Sequence, residues 1–252
     1  MRLDIVSLFP EISRAVLNES IIGRAQRRGI VAIRHIDLRD YAFDGRGTVD
    51  DSPFGGGAGM LLKPDVIFRC LGELADDGAR TVLMCPQGRR FHQSIAAEYA
   101  SCEHLIMFCG HYEGVDERVR QALFDDELSL GDFVLTNGVI AASVMADAII
   151  RLMPGVLGKD ESSEDESFAK ESLLEYPHFT RPAVFKGLSV PEQLMSGDHG
   201  EVGNWRREQQ IIRTAARRPD LLRQVLDSSP IASIFEKSGD NNGKHRKEEN
   251  HD

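Results

Sequence analysis

Carboxylates are concentrated at residues 160–171, a segment with six of them and a single Lys. Side chains of this type remove protons in general base catalysis when they are held within hydrogen-bond distance of a substrate. A segment with so few apolar residues forms no core of its own, so it is predicted to be a loop. The sequence therefore places several candidate bases in a loop, shortly after an apolar run that stops at Pro154-Gly155.

That apolar run, residues 139–153, predicts a buried helix interrupted by Asp147 and Arg151. Three strand-like stretches precede it, at residues 81–85, 104–109 and 128–135, and each runs into a turn that contains glycine. Because helical segments separate these strands, the pattern predicts an α/β fold with a largely parallel sheet and helices on its faces. Ligands of such sheets bind at the carboxyl ends of the strands, which here means the segments after residues 85 and 109 and the segment 130–138.

Before these elements, residues 3–9 and 30–38 read as strands, and residues 11–28 as an amphipathic helix between them. Neither G-x-G-x-x-G nor a P-loop pattern occurs at any of the turns, so neither a dinucleotide nor a triphosphate is indicated. The glycine-bearing turns instead favour a flat, mostly uncharged ligand that is held by backbone groups.

The chain has 252 residues and a formal net charge of -10, which argues against indiscriminate coating of nucleic acid. Residues 206–223 are an exception, because they hold six Arg against Glu208 and Asp220, and such a basic patch indicates a phosphate-bearing partner. Two polar helices are predicted there, at 201–217 and 220–226. The four cysteines have no metal-ligand spacing, so we predict no metal site and expect reduced thiols in a cytoplasmic protein without a membrane span.

Eight blocks carry a resemblance to a known family. In order they read SLFPE (7–11), TVDDSPFGGGAGM (48–60), PQGRRF (86–91), CGHYEGVDERV (109–119), LGDFVLTNG (130–138), MPGVLG (153–158), PHFTRP (177–182) and RTAARRPDLL (213–222). Together they resemble the bacterial tRNA (guanine-N1)-methyltransferases of the SPOUT class. The resemblance implies a deep trefoil knot, a homodimer with active sites shared between subunits, S-adenosylmethionine as methyl donor, and a target guanosine immediately 3′ of the tRNA anticodon.

By position, the resemblance assigns the donor pocket to the three strand ends. Its expected members are Leu83, Met84, Pro86, Gly110, Tyr112, Glu113, Leu130, Gly131, Asp132, Phe133, Val134 and Leu135, with Gly138 nearby. Glu113 is expected to face the positive charge of the donor, and the alternative is an ion pair with Arg118.

The same correspondence makes Arg151 the partner of guanine O6, since a guanidinium stays charged and offers several hydrogen-bond donors. The alternative is a surface ion pair with Asp147, four residues earlier on the same helix. Where the family usually has an Asp base directly before Ser-Phe, this chain has Glu166, which we expect to be the base, with Asp165 as the alternative. A second departure is TNGVIA at 136–141 in place of S-G-G-E-L-P, so Asn137 is expected to affect donor affinity.

The expected domains are a donor-binding knot domain (1–158), an acidic linker and catalytic loop (159–171), a small helical tRNA-binding domain (172–236) and a disordered tail (237–252). Two other functions are compatible with the sequence: methylation of a different nucleoside of RNA, and tRNA binding with weakened catalysis. A requirement for a divalent ion is left open.

Overall fold

The computed structural model describes residues 1–158, 166–168 and 173–227. By its internal contacts the chain divides into two compact units, Met1–Asp160 and Glu161–Asp252. Asp165 and the tail at 237–252, which was predicted to be disordered, lie outside the described residues. Across the described ranges, no helix is both long and apolar enough to cross a membrane.

Unit 1 alternates strands and helices. Its elements are β1 (Arg2–Ser7), α1 (Pro10–Leu17), α2 (Ser20–Arg27), β2 (Ala32–Asp37), β3 (Asp50–Asp51), β4 (Leu61–Leu62), α3 (Pro64–Leu74), β5 (Arg80–Arg90), α4 (Gln93–Ala100), β6 (His104–Cys109), α5 (Glu117–Leu123), β7 (Asp126–Ser129) and α6 (Gly138–Ile150). Five of these strands form one sheet in the order β2-β1-β6-β5-β7, and every pairing in it is parallel. The parallel α/β fold predicted from the sequence is therefore confirmed.

The central strands are apolar on both faces, so the sheet has a core on each side. On β6, Leu105 and Met107 belong to one buried cluster and Ile106 and Phe108 to the other, because successive side chains of a strand point to opposite faces. The first cluster is covered by α1, α2, α4 and α6, and the second by α3 and α5. Helices thus lie on both faces, and the carboxyl ends of the strands stay open for a site.

Two predicted strand ends were wrong, and a glycine explains each error. β5 does not stop at residue 85, because the chain bulges and then rejoins β7 at Arg89 and Arg90. This return depends on Gly88, where a Cβ would lie 2.4 Å from the backbone carbon of Glu127. β7 ends at Ser129 and not at residue 135, because Gly131 adopts φ +152°, a conformation that takes the chain out of the sheet.

The helix predicted over residues 11–28 is in fact two helices, α1 and α2. The break falls at residues 18–19, and Ser20 has φ +52°. The side-chain amide of Gln26 donates to the carbonyl of Leu17 (2.8 Å) and so satisfies one carbonyl at the end of α1.

Unit 2 is described in two parts. Residues 166–168 are tied to the start of 173–227, since Ser167 Oγ accepts from the Glu175 amide (2.9 Å) and Phe168 N donates to Leu173 O (2.9 Å). The elements that follow are the hairpin of β8 (Val184–Phe185) and β9 (Leu188–Ser189), then α7 (His199–Arg217) and α8 (Pro219–Asp227). Asp198 begins α7 as an N-cap whose carboxylate accepts from Gly200 N (2.7 Å).

Candidate active site

A cavity of about 350 Å³ lies in unit 1 beside the bulge of β5 and the carboxyl end of β6. Its walls come mainly from the bulge of β5, the turn after β6, and the irregular chain between β7 and α6, and Arg120 of α5 adds a charged side chain. The lining residues are Leu83, Met84, Cys85, Pro86, Gln87, Gly110, His111, Tyr112, Glu113, Gly114, Val115, Arg120, Leu128, Ser129, Leu130, Gly131, Phe133, Val134, Leu135, Thr136, Asn137, Gly138 and Ala141.

The predicted binding residues, with one exception, line this cavity. The exception is Asp132, whose side chain is 91% exposed and pairs with Arg90 at 2.7 Å. Phe133 and Tyr112 leave about half of their surfaces exposed at the cavity. Exposed apolar groups that converge on one concave surface are typical of a ligand site.

The side of the cavity next to α6 is a close contact between two backbones. Gly138, the first residue of α6, donates its N–H to the Gly110 carbonyl (2.9 Å). A Cβ on Gly138 would lie 2.9 Å from Gly110 N and 3.0 Å from the Cα of Cys109. Only glycine lets the helix start this close to the end of β6. Asn137 caps the helix, because its side-chain oxygen accepts from Val139 N (3.2 Å).

The turn after β6 carries one of the charged side chains of the cavity, Glu113. Tyr112 has φ +57°, which is uncommon for a residue with a side chain, and residues in such conformations cluster at functional sites. The next residue, Glu113, donates its amide to Met60 O (3.1 Å), and Gly59 leaves room for its side chain. Arg118 forms an ion pair with Asp116 (2.7 Å), whereas the alternative prediction from the sequence paired Arg118 with Glu113. Glu113 is exposed and lines the cavity, and the cation that the alternative assigned to it is paired with Asp116.

Arg120 is a lining residue that the sequence did not reveal. Its side chain is only 16% exposed and is ion-paired with Glu127, whose hydrogen bond raises the pKa of the guanidinium while burial opposes that rise. Arg120 also donates to Gln87 Oε1 (3.1 Å) and to Cys85 Sγ (3.6 Å). Two segments of the cavity wall, the β5 bulge and α5, are joined by these bonds.

Two buried cysteines, Cys109 and Cys70, belong to the hydrophobic cores of unit 1. Cys109 is fully buried under α6, and burial raises its pKa well above the usual range. A thiol in this environment stays protonated and is a poor nucleophile. Cys70 lies in the core on the opposite face of the sheet, where burial raises its pKa to about 12.

The catalytic candidates fall in different units. Arg151 is half-buried at the C-terminal end of α6, where its N–H donates to Asp147 O (3.1 Å). A cation at this end of a helix is favoured by the helix dipole. Glu166 is half-buried in unit 2, directly before the anchored Ser167, and Asp165 is outside the described residues.

The predicted basic patch lies on α7 and at the start of α8. Arg206, Arg207 and Arg217 are exposed, and Arg213 is half-buried. Arg218 is already paired with Asp220 through two hydrogen bonds of 2.6 and 2.9 Å. These arginines form the cationic surface of unit 2, and Arg218 contributes less to it than predicted, because Asp220 offsets its charge.

Comparison with known proteins gives one consistent result. Residues 1–224 match the family model described as tRNA (Guanine-1)-methyltransferase TrmD. A tRNA (guanine-N(1)-)-methyltransferase of Staphylococcus epidermidis is 50% identical over 237 residues, which are 94% of this chain and 96% of the relative. The protein of that name from Carboxydothermus hydrogenoformans is 49% identical over 223 residues (88% of each chain), and the one from Pelotomaculum thermopropionicum is 51% identical over 229 residues (89% and 91%).

Proposed function

The chain belongs to the tRNA (guanine-1)-methyltransferase family, and from this membership we propose that it transfers a methyl group from S-adenosylmethionine to N1 of a guanine in tRNA. The proposed target is the guanosine immediately 3′ of the anticodon. The observation that carries the proposal is the cavity of unit 1, because it unites the segments that the family resemblance assigns to the methyl donor.

The cavity has the properties that such a donor requires. Its volume of about 350 Å³ lies in the range of about 300–1,000 Å³ that is common for small-molecule sites. Leu83, Met84 and Leu135 offer apolar contacts for an adenine, and the backbone near Gly110 offers hydrogen bonds to its edge. The Glu113 carboxylate complements the positive charge of a sulfonium or an amino group.

In the proposed reaction the donor supplies an electrophilic methyl group. Guanine N1 gives its proton to a carboxylate and forms a bond to the methyl carbon. The carbon–sulfur bond breaks with its electron pair going to sulfur, which leaves as a neutral thioether. No covalent bond between the substrate and the protein is formed in this direct displacement. Negative charge that develops on guanine O6 would be stabilised by Arg151.

We assign the role of base to Glu166, with Asp165 as the alternative. The support for Glu166 is its connection to Ser167, whose hydroxyl accepts from the Glu175 amide, because this bond fixes the chain beside the carboxylate. The amide of Phe168 is held as well, by the Leu173 carbonyl. A base must be placed to within about a hydrogen-bond length, so a fixed neighbour favours Glu166.

The finer features of the fold belong to the same proposal. We propose a SPOUT-type knot in residues 1–158, a catalytic loop at 159–171, a tRNA-binding domain at 172–236 and a cytoplasmic location. We also propose a homodimer with shared active sites. The support for the dimer is the outer face of α6, where the apolar residues Ile140 and Val144 are 39% and 50% exposed at a spacing of one helical turn.

Methylation of a tRNA transcript that has either G or A at the target position tests this proposal. Labelled methyl should enter the G transcript only, and mass spectrometry should locate it on guanine N1. Glu166→Gln should slow single-turnover methyl transfer by roughly 10²-fold or more and leave donor affinity unchanged. Glu166→Asp restores the family residue and reports the tolerated arm length.

Asp165→Asn is the matched control and should be mild. A collapse of the rate in Asp165→Asn together with a normal rate in Glu166→Gln would move the role of base to Asp165. Binding of tRNA without any methyl incorporation by the wild-type protein would refute the proposed activity.

A further inference from the structure

A group of planar side chains lies on the surface of unit 2. We call Tyr176, His178, Phe179, Trp205 and Arg206 the ring cluster. The guanidinium carbon of Arg206 is 4.7 Å from the centre of the Tyr176 ring, and the Tyr176 and His178 rings are 4.9 Å apart. The Phe179 and Trp205 rings are 6.3 Å apart. The cluster thus joins residues 176–179 to the first half of α7.

The outermost rings of the cluster are exposed and held in place. The His178 side chain is 61% exposed, and its Nε2 is 2.8 Å from Glu175 Oε1, which restrains the ring. Phe179 is 48% exposed and has Trp205 next to it. An exposed ring with restricted motion loses little conformational entropy when a flat group stacks on it, so it is a suitable stacking surface.

The neighbouring face of α7 is positively charged. Arg206, Arg213 and Arg217 are separated by seven and four residues, and at 3.6 residues per turn this spacing puts them on one face of the helix. Arg206 also belongs to the ring cluster, because its guanidinium carbon lies over the Tyr176 ring. The turn of α7 that carries Arg213 is joined to residue 174 by the hydrogen bond from Leu174 N to Thr214 Oγ1 (3.0 Å). Rings and cations therefore form one surface, which is complementary to an anionic partner with flat groups.

We propose that the ring cluster binds an unpaired base of the tRNA anticodon loop, which stacks on His178 or Phe179 while the α7 arginines contact the adjoining phosphates. This inference rests on the proposed function, since it takes tRNA as the substrate. Single-stranded RNA is recognised through unstacked bases on aromatic rings and guanidinium planes, whereas bases in a duplex are stacked on each other. The ring cluster would thus select for a loop, and the arginines would supply affinity without selection.

Binding of two RNAs by the full-length chain tests the inference. One is an anticodon stem-loop, and the other is a blunt duplex with the same number of phosphates, each measured by fluorescence anisotropy at several salt concentrations. His178→Ala and Phe179→Ala are compared with Leu188→Ala, which removes a 76% exposed apolar side chain from β9 and serves as the matched control.

At least one ring variant should bind the stem-loop about 5- to 100-fold more weakly, with the duplex affinity and the salt dependence unchanged. If His178→Ala is affected, His178→Phe should recover much of the loss, because it restores a stacking surface without the bond to Glu175. Arg213→Gln should weaken both RNAs and reduce the salt slope by about one unit.

Normal stem-loop binding by both ring variants would overturn the inference, as would an equal loss for the duplex. A change of sedimentation in His178→Ala would also overturn it, because the rings would then belong to a contact between copies of the chain. Failure of the proposed function is seen separately: the wild-type protein would bind the stem-loop but incorporate no methyl into the G transcript.

Discussion

Replacing Gly138 with Ala should disturb both the stability of unit 1 and its cavity. The added Cβ would meet Gly110 N at 2.9 Å and the Cα of Cys109 at 3.0 Å, and both are backbone atoms of a buried strand end. Ordinary contacts of a Cβ lie at 3.4–4 Å, so one backbone has to move by about half an ångström. Overpacking of this size costs about 1–3 kcal/mol, which lowers the melting temperature of a chain this long by about 2–12 °C.

The movement should also reach the donor site, because Gly110 and Gly138 both line the cavity and share a hydrogen bond of 2.9 Å. Calorimetric titration of Gly138→Ala with S-adenosylmethionine should show an affinity at least tenfold below that of the wild type. Gly72→Ala is the matched control, since Gly72 lies inside α3 and its Cβ would meet nothing within 4 Å. That substitution should stabilise the protein by about 0.5–1 kcal/mol and leave donor binding unchanged.

A Gly138→Ala protein with wild-type melting and wild-type donor affinity would refute this reasoning, because it would mean that the two backbones are farther apart than described. Loss of stability with normal donor affinity would be a narrower result. It would keep the close contact but separate it from the site that binds the donor.

Three further outcomes are expected. Val144→Lys places a charge on the exposed apolar face of α6 and should change the sedimentation of the protein from that of a dimer to that of a monomer. A wild-type protein that sediments as a monomer would contradict the proposed dimer. Arg120→Met should destabilise the protein by about 1–3 kcal/mol in denaturant titrations, because the Glu127 carboxylate stays partly buried and loses its cation. An unfolding midpoint equal to that of the wild type would contradict this pairing. Burial acts to raise the pKa of Asp126, but hydrogen bonds, above all from Arg89, outweigh it and hold the pKa below the usual value. The ionised Asp126 therefore stabilises the fold fully above the ordinary carboxyl pKa, and this contribution is lost as the pH falls through the lowered pKa of the folded state. Asp126→Asn should flatten the loss of stability below about pH 4.

The sequence predicted the centre of the sheet well because β6 is an almost continuous apolar run. Residues 104–109 were predicted as a strand, and β6 spans exactly these residues, all of them buried. The strands that were misjudged, β5 and β7, deviate at Gly88 and Gly131. Glycine marks a change of direction in a sequence, but whether the chain bulges and returns or leaves the sheet depends on the neighbouring strand. That information is tertiary, so no local pattern contains it.

The break between α1 and α2 has a similar origin. Residues 11–28 keep a helical period throughout, and neither Pro nor Gly marks the break at 18–19. The contacts across the break come from Gln26, eight or nine residues farther on, which donates to the Leu17 carbonyl and to Asn18 Oδ1. A contact of this kind competes with helix continuation only once the chain has already turned.

Arg120 shows why part of the site could not be found from the sequence. Its block of resemblance ends at residue 119, and a single Arg on a short helix has no spacing that indicates a ligand. Arg120 is held in the cavity wall by hydrogen bonds to Glu127 on β7 and to Gln87 in the bulge of β5. These two residues reach Arg120 only because β5 and β7 pair. The bulge that was mispredicted is thus the feature that brings Gln87 to Arg120. If β5 ended at residue 85, as predicted, nothing would bring Gln87 to α5, so Arg120 could not be assigned to the site from the sequence.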